Sequence, residues 1–441
     1  MDISVLLQAF MGWPLIIYVV GASLICTIAC GFVQIRYFFK SWSFTLFPEE
    51  KSGTQKIKSD MTPFQAFLST LNSSLGNGAI AGMGTALYAG GPGAAFWLLV
   101  TSFLTMSIRF AETFLAAYFG SRQKTKTGIG GPMLYLREVV GGRQIAYLYG
   151  LFVFIFGLVA GNSAQTNSVR EGLAKAWGVP YLVSAVLVLI FIFYVLFGGA
   201  SRIIKVTDFI VPIKVGVFLF SSSIVLVYHY QSIVPALQII FTSAFSSHAV
   251  KGGVMGFAVQ QAVRFGMMRS VFATESGLGS AAILFGASGA QDPVRTGIMS
   301  MLASFISTCF CFIVGLCIVA SGVWTTGFNG VALTIASFNT TFGQFGGWIV
   351  SFLTVSFGIG VLVTFAYISR EAWKFLTGGR LLWMHTILYC LFAFVGALIK
   401  VDFVWFLSDI AMTGMLLLNL FGIVYLLPVI RKELRKFNRA G

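Results

Sequence analysis

Apolar runs of about twenty residues alternate with short polar segments along the whole chain. Twenty residues at a helical rise of about 1.5 Å reach across the roughly 30 Å of hydrocarbon in a bilayer. The pattern predicts eleven membrane-crossing helices, over about residues 13–33, 63–88, 94–117, 145–168, 181–197, 208–228, 254–286, 294–321, 345–368, 381–398 and 404–427. The first run is longer than a leader core and has no basic residue before it, so it reads as a span and not as a cleaved leader.

Two of the eleven runs are interrupted. The second carries Asn72, Ser73, Ser74, Gly76, Asn77 and Gly78 at its middle, where each glycine weakens a helix by about 1 kcal/mol relative to alanine. In hydrocarbon, a broken backbone survives only where protein or a water-filled cavity meets its freed polar groups. Freed carbonyls suit a cation, and the N-terminus of a half-helix suits a carboxylate. Close helix packing through small residues accounts for the same composition. The seventh run is polar through its centre, with Arg264, Arg269, Thr274, Glu275, Ser276, Gly277, Gly279 and Ser280.

The two interrupted runs open two blocks of five, runs 2–6 and 7–11. Because five is odd, the second block starts from the opposite face of the membrane. Paired broken helices in inverted halves point to a secondary transporter's binding site. The expected organisation is residues 1–60 as a leading helix and cytoplasmic loop, 61–230 as the first five-helix repeat, and 231–441 as the second repeat with a cytoplasmic tail. No direct sequence match relates the halves, so the repeat rests on layout.

Composition agrees with the pattern. The chain is 57% hydrophobic and 10% charged, where soluble domains carry about 25% charged residues, and its mean hydropathy is +0.88. The net charge of +15 lies between apolar runs, which argues against nucleic-acid binding. With the N-terminus outside, segments 36–60, 118–143, 198–207, 287–295, 369–380 and the tail from 428 carry 21 Lys and Arg, against Arg170, Lys175, Lys251 and Lys400 on the outer side. That asymmetry predicts a multi-pass protein of the cytoplasmic (cell) membrane with its C-terminus cytoplasmic. The basic cluster at residues 431–436 reads most simply as a cytoplasmic anchor.

The six cysteines lie inside apolar runs and His229, His248 and His385 lie far apart. No metal-ligand spacing and no nucleophile–base cluster appears, so an enzyme, a bound metal and an organic cofactor are not expected.

A charge at the middle of a membrane helix costs about 2.5–3.5 kcal/mol on insertion scales. Arg109 and Glu112, three apart near an inner end, read as a local ion pair at the interface. Asp208 reads as the cap of the sixth span, and Lys214 as a snorkelling side chain. Asn162, Gln165 and Thr166 form a polar stripe at i, i+3 and i+4, suited to interhelical hydrogen bonds or to a polar solute. Glu275 could bind a cation, relay a proton, pair with an arginine or hold structure. Asp409 and Asn419 read as interhelical hydrogen-bonding groups.

Several motifs together resemble the alanine/glycine:cation symporter (sodium:alanine symporter) family, over nearly all the chain after the first helix. They are G-x-G-x-I-A-G at 76–82, GGPGAAFW at 90–97, RFAE at 109–112, GGPM at 130–133, GN-x-x-Q-x-NS at 161–168, GG-x-x-RI-x-KV at 198–206, E-x-GLGSA at 275–281, DPVR-x-G at 292–297 and W-x-L-x-D at 405–409. The chain departs from the family's G-T-G-N-I-A-G at Asn77 and Ala79, and from S-N-E-A-G at Ala273, Thr274 and Ser276.

The resemblance implies an all-α polytopic fold with a LeuT-like 5+5 inverted repeat and one extra N-terminal helix. It implies import of a small neutral amino acid (alanine or glycine, D-alanine included) by symport with a monovalent cation, sodium. Solute contacts would fall on Asn77, Gly78, Gln165, Phe272, Ser276 and Gly277. Cation contacts would fall on Ser74, Asn77 and a ninth-span hydroxyl, for which Thr364 and Tyr367 are the nearest candidates. Glu275 is the gating or proton-relay candidate. A proton-coupled or uncoupled permease of the same fold, with Glu275 titrating, remains open; a channel is a third reading.

Overall fold

The structure, a computed structural model, describes residues 12–47, 59–122, 130–245, 255–290, 292–399 and 401–440. Lys251 and Lys400, used above to orient the chain, lie outside the described residues, as do Lys51, Lys56, Lys58, Lys124 and Lys126 of the inner segments.

Among the described residues the regular elements are all helices. In chain order they are α1 (Trp13–Ala29), α2 (Phe38–Leu46), α3 (Pro63–Ser74), α4 (Asn77–Gly90), α5 (Gly93–Ser121), α6 (Gly142–Leu158), α7 (Ala164–Trp177), α8 (Tyr181–Phe197), α9 (Gly199–Tyr228), α10 (Tyr230–Phe245), α11 (Met255–Thr274), α12 (Ser280–Gly286), α13 (Pro293–Ala320), α14 (Val331–Phe342), α15 (Gln344–Thr377), α16 (Leu382–Leu398), α17 (Val401–Tyr425) and α18 (Leu427–Ala440). Every apolar run of the sequence falls on one of these helices or on a consecutive pair. Six described helices are long and apolar enough to cross a membrane, and four apolar helices are shorter.

Local chemistry sets the starts. Thr62 and Gln65 close a capping box, Gln65 N donating to Thr62 Oγ1 at 3.2 Å and Thr62 N to Gln65 Oε1 at 3.0 Å, and Pro63 opens α3. Asp292 Oδ1 accepts from Val294 N and Arg295 N at 3.0 and 3.1 Å, ahead of Pro293.

α5 lies at the centre and packs most extensively on α13 and α11, so the two blocks interlock. Glycines let backbones touch there: a Cβ at Gly266 would stand 2.4 Å from Ala94 O, and one at Gly297 2.7 Å from the Phe110 ring. Large apolar side chains on the outside of α8 and α9, Ile190, Phe193, Phe197, Phe209 and Phe220 among them, are exposed. Such a continuous apolar surface needs lipid to cover it. The described cysteines are free, and all but half-buried Cys309 are buried.

Three segments differ from the expected pattern. Residues 230–245 and 331–342, read as outer connections, form α10 and α14. They are too short or too irregular to register as spans, yet each covers a long helix. Trp97 Nε1 on α5 donates to Ala244 O of α10 at 3.1 Å, with Phe96, Phe241 and Phe245 stacked edge-on beside it. The tail is a helix, α18, that buries Leu427, Ile430 and Leu434 while leaving Lys436 exposed beside Glu433. Its apolar side is thus covered by the bundle, with Arg431 Nε donating to Ala29 O at 3.0 Å. Asp208 is not a cap, since α9 begins at Gly199; its Oδ2 accepts from Gln65 Nε2 at 3.0 Å and ties α9 to the start of α3.

Candidate functional site

Both interrupted spans are broken where the glycines and amides predicted. The first stops at Ser74 and restarts at Asn77, leaving Leu75 and Gly76 outside either helix. Gly76 is required by packing: a Cβ there would stand 2.6 Å from Val361 Cγ2 of α15. The second stops at Thr274 and restarts at Ser280. Its connection holds Glu275, Gly277 and Gly279 at φ of 52°, 89° and 82°, a left-handed conformation that two of the three meet as glycine.

At the first break the freed carbonyls meet a lysine. Lys214 does not snorkel; it is fully buried, and its Nζ donates to Asn72 O at 3.1 Å and Leu75 O at 3.0 Å. The helix geometry explains the difference from the expected reading: α9 starts at Gly199, so Lys214 lies near its middle and not near an end. The ring of Phe357 lies 5.2 Å from the ammonium.

Beside this cradle, Asn72 Nδ2 donates to Gly360 O at 2.9 Å and to Thr364 Oγ1 at 3.0 Å. Asn72 Oδ1 is buried without a partner. A Cβ at Gly360 would stand 2.3 Å from that oxygen and 2.7 Å from Lys214 Nζ, so α15 can approach only as glycine. Thr364 therefore stands at the first break. Tyr367, one turn on, reaches instead to Asp60 Oδ2 at 3.0 Å.

Across the gap from the first half-helix, α4 begins with no side-chain cap. Asn77 Nδ2 donates to Gln165 Oε1 at 3.4 Å, while Asn77 Oδ1 is buried without a partner. A Cβ at Gly78 would meet nothing within 4 Å. One turn along, Gly82 stands against the Arg269 guanidinium, which lies over the Phe272 ring at 5.7 Å. Asn77 and Gln165 are thus in contact, and the space beside neighbouring Gly78 is open.

Gln165 reaches Asn77 through a π turn, Val159–Ser163, that joins α6 to α7. The extra residue of the wider turn splits the expected polar stripe. Asn162 Nδ2 turns to Tyr389 O at 2.7 Å and Thr166 Oγ1 bonds back to Ser163 O at 3.0 Å, so only Gln165 faces Asn77.

The second break is held by charge. Arg109 and Glu112 do form a pair, at 2.8 Å, but fully buried and not at an interface. The pair reaches well beyond its own helix, which the i, i+3 spacing does not reveal. Glu112 Oε2 accepts from Gly277 N and Gly279 N at 3.1 Å each and from Asn419 Nδ2 at 3.2 Å. Arg109 donates to Thr274 O and, through Nε, to Ser304 Oγ at 3.0 Å. Asn419 Nδ2 also reaches Gly277 O at 2.8 Å, and Tyr149 Oη donates to Leu278 O at 2.6 Å. Ser276 is fully buried, its N bonded to Thr274 Oγ1 at 3.3 Å and its Oγ to Ser304 Oγ at 3.3 Å. The Ser276 N and Oγ and both peptide groups of Gly277 thus have protein partners.

Two side chains join the breaks. Glu275 pairs with no arginine among the described residues; its Oε2 accepts from Ser73 Oγ at 3.1 Å, across the interface, and from Ser280 Oγ at 2.6 Å. Ser307 Oγ on α13 contacts Ala273 O at 2.7 Å and Ser74 O at 3.3 Å, meeting the ends of both first half-helices. α14 closes over the first broken span: Thr334 Oγ1 donates to Ile80 O at 3.2 Å, and a Cβ at Gly84 would stand 2.2 Å from Gly330 O.

The structure brings Ser74, Asn77, Thr364, Gln165 and Glu275 to one region of the bundle. Asn72, Ser307, Gly358 and Gly360 belong there and were not singled out as site residues; Gly358 stands 3.0 Å, measured from its would-be Cβ, from Asn77 Nδ2. Glycine spacing in the ninth span was the available signal for the last two.

A family model described as the sodium:alanine symporter family matches residues 2–441. The sodium/alanine symporter AgcS of Methanococcus maripaludis is 32% identical over 436 residues, covering 96% of this chain and 94% of that protein. An uncharacterized transporter of Haemophilus influenzae is 31% identical over 432 residues, covering 97% and 93%. The solved structure of a Na+-coupled sialic acid symporter in an outward-open state has the same fold at 12% identity, with a TM-score of 0.56 over 94% of this chain and 87% of that one. The broken helices, the buried charges and these matches together identify the chain as a multi-pass transporter, not an enzyme, and it belongs to the sodium:alanine symporter family.

Proposed function

We propose that this protein imports a small neutral amino acid, alanine or glycine, by symport with a monovalent cation, through alternating access of an eleven-span, 5+5 inverted-repeat fold with its N-terminus outside. The observation that carries this reading is the pair of facing breaks, at residues 75–76 and 275–279, tied together by Glu275 and Ser307. A zwitterion needs a carboxylate partner and an ammonium partner side by side. The uncapped start of α4 supplies the first. The unpartnered Asn77 Oδ1 beside Gln165 supplies the second. Gly78 leaves room for a methyl-sized side chain, and this reading assigns Phe272 to its boundary.

The cation stabilises the occluded state together with the solute, and mutual stabilisation is what couples their gradients. Sodium is the ion in the family's description and in the name of the Methanococcus relative; were it the coupling cation here, Ser74, Asn77 and Thr364 would be its ligands. The test is uptake of labelled alanine and glycine into proteoliposomes with sodium and proton gradients imposed separately. Symport predicts accumulation above the outside concentration under one of them. Uptake that neither gradient changes would sink it.

A further inference from the structure

We propose that the Lys214 ammonium is itself the cation of the first break, so that coupling there is carried by a proton on Nζ and not by a sodium ion. The proposal rests on the transport reading above and names the ion for it.

The place is one built for a cation. Asn72 O and Leu75 O are carbonyls freed by the end of α3, at the negative pole of that half-helix. Lys214 Nζ takes both, with the Phe357 ring 5.2 Å away. Asn72 Oδ1, buried and unpartnered, lies within 2.3 Å of the same would-be Gly360 Cβ that stands 2.7 Å from Nζ. A sodium ion at these oxygens would have to displace the ammonium or share its cradle against direct repulsion.

Lys214 makes no ion pair among the described residues. The elements packed on α9 are α3, α8, α10, α13, α14 and α15. Their described titratable groups are few: none on α3 or α14, Tyr181 and Tyr194 on α8, and Tyr230 on α10. α13 adds Arg295, Cys309, Cys311 and Cys317, and α15 adds Tyr367, Arg370, Glu371 and Lys374. The two carboxylates nearest in role are engaged elsewhere, Asp208 with Gln65 and Glu275 with Ser73 and Ser280. A lone buried ammonium held only by carbonyls is the kind of group that exchanges its proton when water reaches it.

The step balances simply. When the site opens inward, one Nζ–H bond breaks, its electron pair stays on nitrogen, and the proton passes to water; opening outward restores it. The neutral amine no longer counters the α3 carbonyls, so the grip of α9 on the end of α3 is lost.

The experiment measures sodium alone on the purified protein, then uptake. Wild-type protein should show the same unfolding midpoint in sodium chloride and in choline chloride. Lys214→Ala, with the carbonyls left bare, should gain a sodium-dependent rise. In proteoliposomes without sodium, an acid-outside gradient of one pH unit should drive about tenfold accumulation of labelled alanine at one proton per solute. Lys214→Arg, which keeps the charge but cannot release it, should lose that accumulation. Sodium-dependent stabilisation of wild type that Lys214→Ala leaves unchanged overturns the proposal, as does full proton-driven uptake by Lys214→Arg. Should Lys214→Ala fail to fold, wild type and Lys214→Arg decide it. Absence of any amino-acid uptake would count against the transport reading alone, and the sodium measurement would still judge Lys214.

Discussion

The two breaks solve one problem in opposite ways. At residues 275–279 the freed peptide groups are held by fixed side chains, among them a neutral pair of charges, Arg109 with Glu112. At the first break, Asn72 O and Leu75 O rest on a single ammonium that makes no ion pair among the described residues, and the next helix starts uncapped beside an amide oxygen that has no partner. The first arrangement keeps its shape whatever binds. The second is left with unspent hydrogen-bonding capacity and unbalanced charge, which is where a solute or proton can change the energy. One half of the site is a frame and the other is the responding part.

Removing the frame should have the largest effect. Glu112→Ala leaves Arg109 buried without its counter-charge and frees Gly277 N and Gly279 N, and breaking a buried pair costs about 3–5 kcal/mol. The variant should lose most of its folded, monodisperse yield in detergent; a wild-type unfolding midpoint would erase the distinction between the breaks.

A change at the first break should be milder on folding and harsher on transport. Gly360→Ala pushes a methyl group into Asn72 Oδ1 and Lys214 Nζ, an overpacking of about 1–3 kcal/mol. Folded protein should be recovered while labelled alanine uptake falls below detection. Normal uptake would show that α15 does not need its close approach there.

The smallest expected effect is at the solute's edge. Gln165→Ala removes the neighbour of Asn77 without touching either half-helix end. It should weaken alanine binding about tenfold, the equivalent of one hydrogen bond of about 1.4 kcal/mol, with the unfolding midpoint unmoved. Unchanged affinity would take Gln165 out of the site.

Much of this contrast was legible in the sequence. Clustered glycines and amides marked both interruptions to within a few residues, because in lipid a helix breaks only where its sequence weakens it. Asn77 and Gln165 stood out as amides in apolar runs. What was hidden depends on the third dimension. Spacing made Arg109 and Glu112 look like a local surface pair, and only the fold brings residues 277 and 279 onto the carboxylate. Lys214 looked able to reach an interface because the start of its helix, nine residues before Asp208, lay in a polar segment that hydropathy excluded. The π turn leaves no mark in a hydrophobic pattern, so the phase of Asn162 against Gln165 could not be read. α10 and α14 escaped because they shield other helices without themselves being long apolar runs.

The contact between Gly84 and Gly330 has a mechanical corollary. With backbone pressed on backbone and Thr334 hooked to Ile80, α4 has no slack in which to swing alone. Any tilt of that half-helix carries α14 with it as a lever, turning a displacement beside the solute into travel at the rim of the bundle, where a spin label or fluorophore could follow each turnover.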